Sequence, residues 1–269
     1  MGTVLVTGGT GLLGRRVAAE LDTAGHTVRV LSRGPAAAES VPGRLIVGDL
    51  RTGEGLAEAV AGADAIVHCA SAPRDFRAVD IEGTGRLLAA AEQKIRGTHL
   101  VYVSIVGIDR LSTGYYQAKL AVERSIEGSG IPWTMLRATQ FHEFCANQFD
   151  RMTRLPVALM PRNWRIQPVD VGRVAARLAD AATSEPAHRL PDLGGPEVLS
   201  WADAARGYLQ AVDRHRPVLQ IPVPGAFSAA MRQGANLAGA GERAGGQTWS
   251  DFLSTHVERS RSAEPPAQG

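Results

Sequence analysis

Thr7-Gly8-Gly9-Thr10-Gly11-Leu12-Leu13-Gly14 follows the apolar run Val4-Leu5-Val6 and precedes Arg15-Arg16-Val17-Ala18-Ala19-Glu20-Leu21, whose apolar positions recur with helical spacing. The stretch reads as a buried strand, a glycine turn and a helix start. Such a turn aims backbone N–H groups and the positive end of a helix dipole at an anion. Glycines at 8, 11 and 14 have separate tasks: Gly8 permits the tight turn, Gly11 lets the backbone approach a pyrophosphate, and Gly14 lets the helix pack close to the strand. The strand before and the helix after distinguish this spacing from a glycine-rich turn without a ligand.

Outward from this turn, short β-rich runs alternate with helical segments. Strands are predicted at 27–31, 45–47, 65–67, 99–103 and 133–137, with amphipathic helices at 77–94 and 115–128 among the connections. This alternation implies a parallel sheet with right-handed crossovers. With the phosphate turn after strand one, the expected class is α/β, a doubly wound parallel sheet of Rossmann type. Beyond residue 140 the pattern loosens. A helix is expected over 141–155, breaks at Pro156 and Pro161, a helix over 171–182, and a helix over 201–213 capped by Ser200. A Gly/Ala cluster over 238–246 reads as a loop, and the chain from 257 reads as a fraying tail. The expected organisation is a nucleotide-binding core over 1–155, a small C-terminal substrate-side lobe with interleaved elements over 156–256, and a disordered tail over 257–269.

The bulk composition narrows the class. The chain has 269 residues, 44% hydrophobic, with a formal net charge of +2 and scattered basic residues, which argues against a nucleic-acid partner. Cys69 and Cys145 imply neither a disulfide framework nor a zinc site, and no metal is expected. A strand begins within a few residues of Met1 and no apolar stretch reaches membrane-spanning length, so a cytoplasmic protein without a signal peptide or membrane partner is expected, a monomer or homodimer.

Tyr115-Tyr116-Gln117-Ala118-Lys119 is the second informative constellation. Tyr115 and Lys119 are one helical turn apart and share a face. A phenol titrates near pH 10, and a neighbouring ammonium lowers that value, making the pair a candidate proton donor to a developing alkoxide. The chain holds 4 Tyr and, among 29 basic residues, only the lysines Lys94 and Lys119, so this spacing arises by chance in roughly 3 of 100 such chains. An arginine could not serve a proton relay in the same way. Ser104 lies just past the predicted fifth strand, where a hydroxyl is delivered to the ligand crevice.

Together with Asp49 in Gly48-Asp49-Leu50 and His68-Cys69-Ala70-Ser71, these residues resemble the short-chain dehydrogenase/reductases, in the extended or atypical branch. Leu136-Arg137-Ala138-Thr139-Gln140-Phe141-His142 and Gln167-Pro168-Val169-Asp170-Val171 are similar to the NmrA-like group. The resemblance covers most of residues 3–182. It implies that Thr10, Leu12 and Leu13 line the pyrophosphate turn, that Asp49 and Leu50 contact the adenine, and that Ala70 and Ser71 lie along the cofactor. It implies Tyr115 as acid/base, Lys119 as the holder of the nicotinamide ribose and tuner of Tyr115, and Ser104 as the group orienting substrate. Two departures stand out: His68-Cys69-Ala70-Ser71 replaces an Asn-Ala-Ala-Gly-like sequence, and Ala138-Thr139 replaces Pro-Gly.

Cofactor choice follows from charge. Leu31 is followed by Ser32-Arg33-Gly34, with no acid to hold a ribose 2′-OH, so NADPH is expected, with Arg15 or Arg16 as further candidates for its phosphate. Gln140, Phe141, His142, Phe144 and Asn147 follow strand six and are the candidate substrate wall. Phe141 and Phe144 could equally be core, and His142 reads as structural. The expected activity is NADPH-dependent hydride transfer to a small carbonyl, enone or quinone. The alternatives are a non-catalytic NADP(H) sensor and a nucleotide-sugar epimerase or dehydratase.

Overall fold

A computed structural model describes residues 2–34, 41–94, 97–239 and 241–263. The chain divides into two compact units, one of residues 1–138 with 171–192, the other of 139–170 with 193–269.

The parallel strands of the first unit are β1 (Thr3–Thr7), β2 (Thr27–Ser32), β3 (Arg44–Val47), β4 (Ala65–His68), β5 (His99–Ile105) and β6 (Trp133–Ala138), in spatial order β6-β5-β4-β1-β2-β3. The chain winds from β1 to β3 in one direction and from β4 to β6 in the other. The direction reverses between β1 and β4, where Thr7 is opposite His68, and this is where a doubly wound sheet opens a ligand crevice. Helices α1 (Leu12–Thr23), α2 (Leu56–Val60), α3 (Gly83–Lys94) and α4 (Gly114–Glu127) form the connections, with a π-helical turn over Arg77–Glu82 leading into α3. Leu5, Leu31, Ile66, Leu100, Tyr102 and Met135 form one apolar face, packed against Leu56, Leu87, Leu88, Val122 and Ile126 of the helices. Val4 and Val6 alternate to the opposite face. A side chain such as Leu87, fully buried, contributes about 1.5–3 kcal/mol by leaving water.

The observed division differs from a core ending at 155. The chain leaves the first unit at Ala138, where β6 stops, and returns for the helix Val171–Ala182 and the short strand His188–Arg189, which pairs with β6. Val171, Val174, Ala175 and Leu178 form the buried stripe of that helix, which packs on α1.

The second unit has its own core. Phe149, Tyr208, Trp249, Phe252 and Leu253 join helices His142–Met152, Trp201–Ala211 and Trp249–Ala263. The Ser200 hydroxyl accepts from the Asp203 amide at 3.0 Å and caps the second of these, as its sequence position suggested. The last helix runs through 257–263, where the sequence suggested a fraying tail, while 264–269 lie outside the described residues. The expected loop over 238–246 contains the short strand Glu242–Arg243, and Ala240 within it is also outside them. No helix among the described residues is long and apolar enough to cross a membrane.

Candidate functional site

The turn after β1 is built by close backbone approach. Gly8 has φ +67°, and a Cβ there would lie 2.7 Å from the Ala70 amide nitrogen. A Cβ on Gly14 would run into the Gly8 carbonyl, so only glycine lets α1 approach the turn so closely. Gly11 is the N-cap residue of α1. It has no side chain to accept from the first-turn N–H groups, and that turn carries no acid. These are the features an anion at a helix N-terminus requires.

A cavity of about 500 Å³ opens beside this turn at the carboxyl ends of the strands. Gly8, Thr10, Gly11, Ser32, Arg33, Asp49, Leu50, Ala70 and Ser71 all line it. Leu12, Leu13 and Gly14 are not among its lining residues: Leu12 faces solvent, Leu13 is core, and Gly14 is the packing contact. Arg51, Cys69, Ala72 and Val79 also line the cavity and were not read from the sequence. The Asp49 carboxylate is turned by accepting from the Arg51 amide at 2.9 Å, and Arg51 reaches Asp75 at 2.7 Å.

Tyr115 lies at the start of α4, which Thr113 caps by accepting from the Tyr116 amide at 3.2 Å. Its hydroxyl is 2.8 Å from the Ser71 hydroxyl, which donates at 2.6 Å to Asp80 Oδ1. The other carboxylate oxygen of Asp80 accepts from the Ala72 amide at 2.9 Å. Lys119 Nζ lies 3.9 Å from Asp80 Oδ1, with both side chains almost wholly buried. It also donates to the Val103 carbonyl at 3.3 Å and sits 4.5 Å from the Tyr102 ring centre. Asp80 was not singled out in the sequence, and the structure makes it the junction of this network.

The electrostatics correct one expectation. Tyr115 is not lowered by Lys119. Burial pushes it up to about 12, the Ser71 hydrogen bond opposes this, and the Asp80 and Tyr116 charges add to the rise. Burial brings Lys119 down to about 8 against the pull of Asp80, Cys69 and Glu123. The ammonium is directed at Asp80, so its stabilisation goes to a carboxylate instead of the phenol.

Ser104 is also placed differently from its reading as a strand-end residue. β5 continues to Ile105, so Ser104 is inside the strand and 2% exposed. Its hydroxyl lies beside Glu123, outside ideal hydrogen-bond geometry but close enough to help hold that carboxyl low. Burial alone would raise Glu123. Two bonds from Arg137, at 2.9 and 2.7 Å, outweigh that, and Arg189 adds a third at 3.0 Å. Ser71 is the hydroxyl beside Tyr115.

His68, the departure after strand four, is a core residue. Nδ1 meets the Thr7 hydroxyl at 2.6 Å and Nε2 the Thr84 hydroxyl at 2.9 Å. Burial, then the Lys119 charge, bring it down to about 3, so it is neutral at physiological pH. Burial likewise pushes the Cys69 thiol up to about 12, which makes it a poor nucleophile.

The five candidate substrate residues belong to the second unit. His142 is 1% exposed and stacks 5.0 Å from Phe252, and burial brings it down to about 4. Gln140 donates to the Asn236 carbonyl at 3.3 Å, and Phe141 bridges to Val169. Phe144 is 53% exposed and Asn147 is exposed, because the buried face of their helix is His142, Cys145, Ala146 and Phe149. Phe144 is therefore not a core residue.

The glycine cradle, the open helix terminus and the cavity at the switch point together fit a dinucleotide. Residues 8–182 match the family described as NAD(P)H-binding. The chain belongs to this family. It is 28% identical over 183 residues to the photosystem II assembly factor Ycf39 of Trieres chinensis, a match covering 64% of this chain and 57% of that one. It spans between 29% and 61% of the first curated relatives it matches. Among solved structures, the NADPH-dependent quinone oxidoreductase QOR2 of Escherichia coli in complex with NADPH superposes with a TM-score of 0.71 at 16% identity, covering 96% of this chain and 99% of that one. The UDP-glucose 4-epimerase of Thermus thermophilus in complex with NAD gives the same TM-score of 0.71 at 20% identity, covering 97% of this chain and 100% of that one. At these identities the structures establish the mostly parallel, Rossmann-like α/β fold.

Proposed function

We propose that the protein is an NADPH-dependent oxidoreductase that transfers hydride to a small organic carbonyl, enone or quinone. The observation that carries this reading is the Tyr115 hydroxyl, 2.8 Å from Ser71 on the wall of the dinucleotide cavity. Gly8, Thr10, Gly11 and the first amides of α1 hold the pyrophosphate. Ser32 and Arg33 hold the 2′-phosphate, and Asp49 and Leu50 flank the adenine. Ala70 and Ser71 line the path toward Tyr115. The reduced nicotinamide supplies the hydride. Tyr115 supplies the proton to the substrate oxygen.

The raised Tyr115 orders the acceptors. An alkoxide is basic enough to take a proton from a phenol of pKa about 12, so a carbonyl depends on Tyr115. A quinone becomes a stabilised anion after hydride transfer and can be protonated by water. The likeness to QOR2 in complex with NADPH supports keeping quinones among the acceptors.

Steady-state NADPH oxidation against aldehydes, ketones, enones and quinones tests the reading. Turnover with Tyr115→Phe reduced by about 10²–10⁴ on carbonyls, and less on quinones, is the expected outcome. Tight NADPH binding with no turnover of any acceptor identifies a sensor and removes the enzyme reading.

A further inference from the structure

We propose that the strand pair Ala158–Pro161 and Val218–Ile221, with the arginine-lined cavity beside it, is a docking face for an anionic lipid bilayer. The inference lies wholly in the second unit and is independent of the reading of the nucleotide cavity. The two strands run parallel, with Leu159 opposite Leu219 and Pro161 opposite Ile221. Ala158 and Met160 alternate to the inner face, fully buried in a core with Tyr208 and Leu209. The outer face is bare: Leu159 is 45% exposed, Leu219 53% and Ile221 38%, and Leu155, in the segment leading in, is 64% exposed. These four are among only nine large hydrophobic side chains exposed among the described residues. Exposed leucines scattered singly need no explanation, but a cluster of this kind marks an interaction surface.

The charge on this face selects the partner. A cavity of about 550 Å³ ends where the strand pair begins: Pro217 lines it, and the Pro217 carbonyl accepts from the Ala158 amide at 2.9 Å. Arg206, Arg214, His215 and Arg216 also line it, against the single carboxylate Asp213. Arg214 reaches Asp150 at 2.9 Å, and Arg154, the neighbour of Leu155, meets the other oxygen of the same carboxylate at 2.8 Å. Arg206 is paired with Asp203 at 2.7 Å. Arg216 and Arg162 bond to backbone carbonyls and pair with no carboxylate among the described residues. Arg162 follows the first strand directly, its amide donating to the Ile221 carbonyl at 2.8 Å. The apolar strip thus has arginines at both ends, and these five arginines outnumber the three aspartates beside them.

That combination suits a layer of lipid headgroups. The leucines enter the apolar boundary to a shallow depth while the arginines stay among the phosphates, which accept from a guanidinium in pairs. The strand edges stay at headgroup level, so no unsatisfied amide is carried into hydrocarbon. A surface of this kind requires no membrane-spanning helix, and none is present among the described residues. A second copy of the chain is a poorer fit, because a two-fold contact sets the arginine rim against the same rim. A soluble polyanion is a poorer fit too, because it leaves the leucines in water.

The experiment is vesicle co-sedimentation of the full chain without cofactor or substrate, so its result is separate from any turnover. The vesicles are phosphatidylcholine alone, or phosphatidylcholine with about one-third phosphatidylglycerol. Binding should be about tenfold or more tighter to the anionic vesicles and lost near 1 M salt, where charges are screened beyond about 3 Å. The pair Leu159→Thr and Leu219→Thr suits a strand and should weaken binding by roughly tenfold or more. Arg162→Gln and Arg216→Gln should each weaken it by about fivefold. Val47→Thr, at an exposed position of the first unit, should leave it unchanged. All the substituted side chains are exposed, and thermal melts check that each variant folds as the native chain does. If the native chain binds neither vesicle or both equally, or if the leucine pair binds as the native chain does, the docking face is wrong. If sedimentation without vesicles shows a dimer that the leucine pair dissociates, the face belongs to a second copy and the proposal falls. If inorganic phosphate displaces the chain from vesicles where chloride at equal ionic strength does not, the cavity takes a free anion and the bilayer is again excluded.

Discussion

Acidification from pH 7 to 5 should destabilise the first unit through His68, and replacing this histidine should remove that part of the loss. In the folded protein His68 stays neutral down to about pH 3, because it is buried between Thr7 and Thr84 and faces Lys119. In the unfolded chain it takes a proton near pH 6.5. Its folded pKa is depressed by roughly 3 units, so between 6.5 and 3 the unfolded state binds the extra proton. Stability therefore falls as pH falls through this window and is insensitive to His68 above it. The slope for one such group is about 1.4 kcal/mol per pH unit, which gives a loss of about 2 kcal/mol by pH 5. For a protein of this size that corresponds to roughly 4–8 °C in Tm. The assay is thermal or urea unfolding of the native chain and His68→Gln at both pH values. The substitution lowers stability at each pH by disturbing the threonine contacts, so the informative quantity is the change with pH. The native chain should lose about 2 kcal/mol more than the variant. Equal losses would refute the account of His68 as a buried neutral group.

Three other outcomes are expected. The chain should bind NADPH about tenfold or more tightly than NADH in a fluorescence titration, and Arg33→Asp should abolish the preference. Gly14→Ala should cost about 1–3 kcal/mol and weaken NADPH binding, since its Cβ meets the Gly8 turn, whereas Gly85→Ala, in open space on α3, should stabilise by about 0.5–1 kcal/mol; thermal melts with a binding titration check both. Phe149→Ala should cost about 3–5 kcal/mol while Phe144→Ala stays within about 0.5 kcal/mol, and a shift in KM for Phe144→Ala would mark it as a substrate contact.

The parts of the site that were legible in the sequence are those fixed by local geometry. The turn over 7–14 needs only its own glycines and the strand and helix beside it, and Tyr115 and Lys119 share a face by helical periodicity alone. Ser104 was misplaced by a matter of one or two residues, because Ser104-Ile105 carries no punctuation to mark whether β5 has ended. A strand that runs on turns the hydroxyl into the core beside Glu123. Asp80 was invisible for another reason. It sits between Val79 and Ile81 in what reads as an ordinary helix start, and its partners Ser71 and Lys119 are far away in the chain. It lies in the π-helical turn over Arg77–Glu82, and its carboxylate meets Ser71, three residues past the end of β4. The division at Ala138 was equally hidden, since the helix Val171–Ala182 returns to α1 through tertiary packing with no local signal.

Among the described residues of the first unit two carboxylates are buried, Asp80 and Glu123, and the cations beside them differ in a way that matters. Glu123, fully buried, is held by Arg137 through two parallel bonds and by Arg189. Arg137 is pushed above its usual value by those bonds, so this cluster has no proton to release at any physiological pH and acts as a fixed brace between α4 and β6. Asp80, 1% exposed, faces a lysine, and burial brings that lysine to about 8. In a chain with 27 arginines and 2 lysines, a lysine stands beside the carboxylate that accepts from Ser71, the neighbour of Tyr115, and arginines stand beside the carboxylate that touches only structure. An arginine opposite Asp80 would balance the charge equally well and would keep its proton. The lysine balances the charge and can also give the proton up, so the choice of cation separates a site that can exchange protons from one that only holds the fold together.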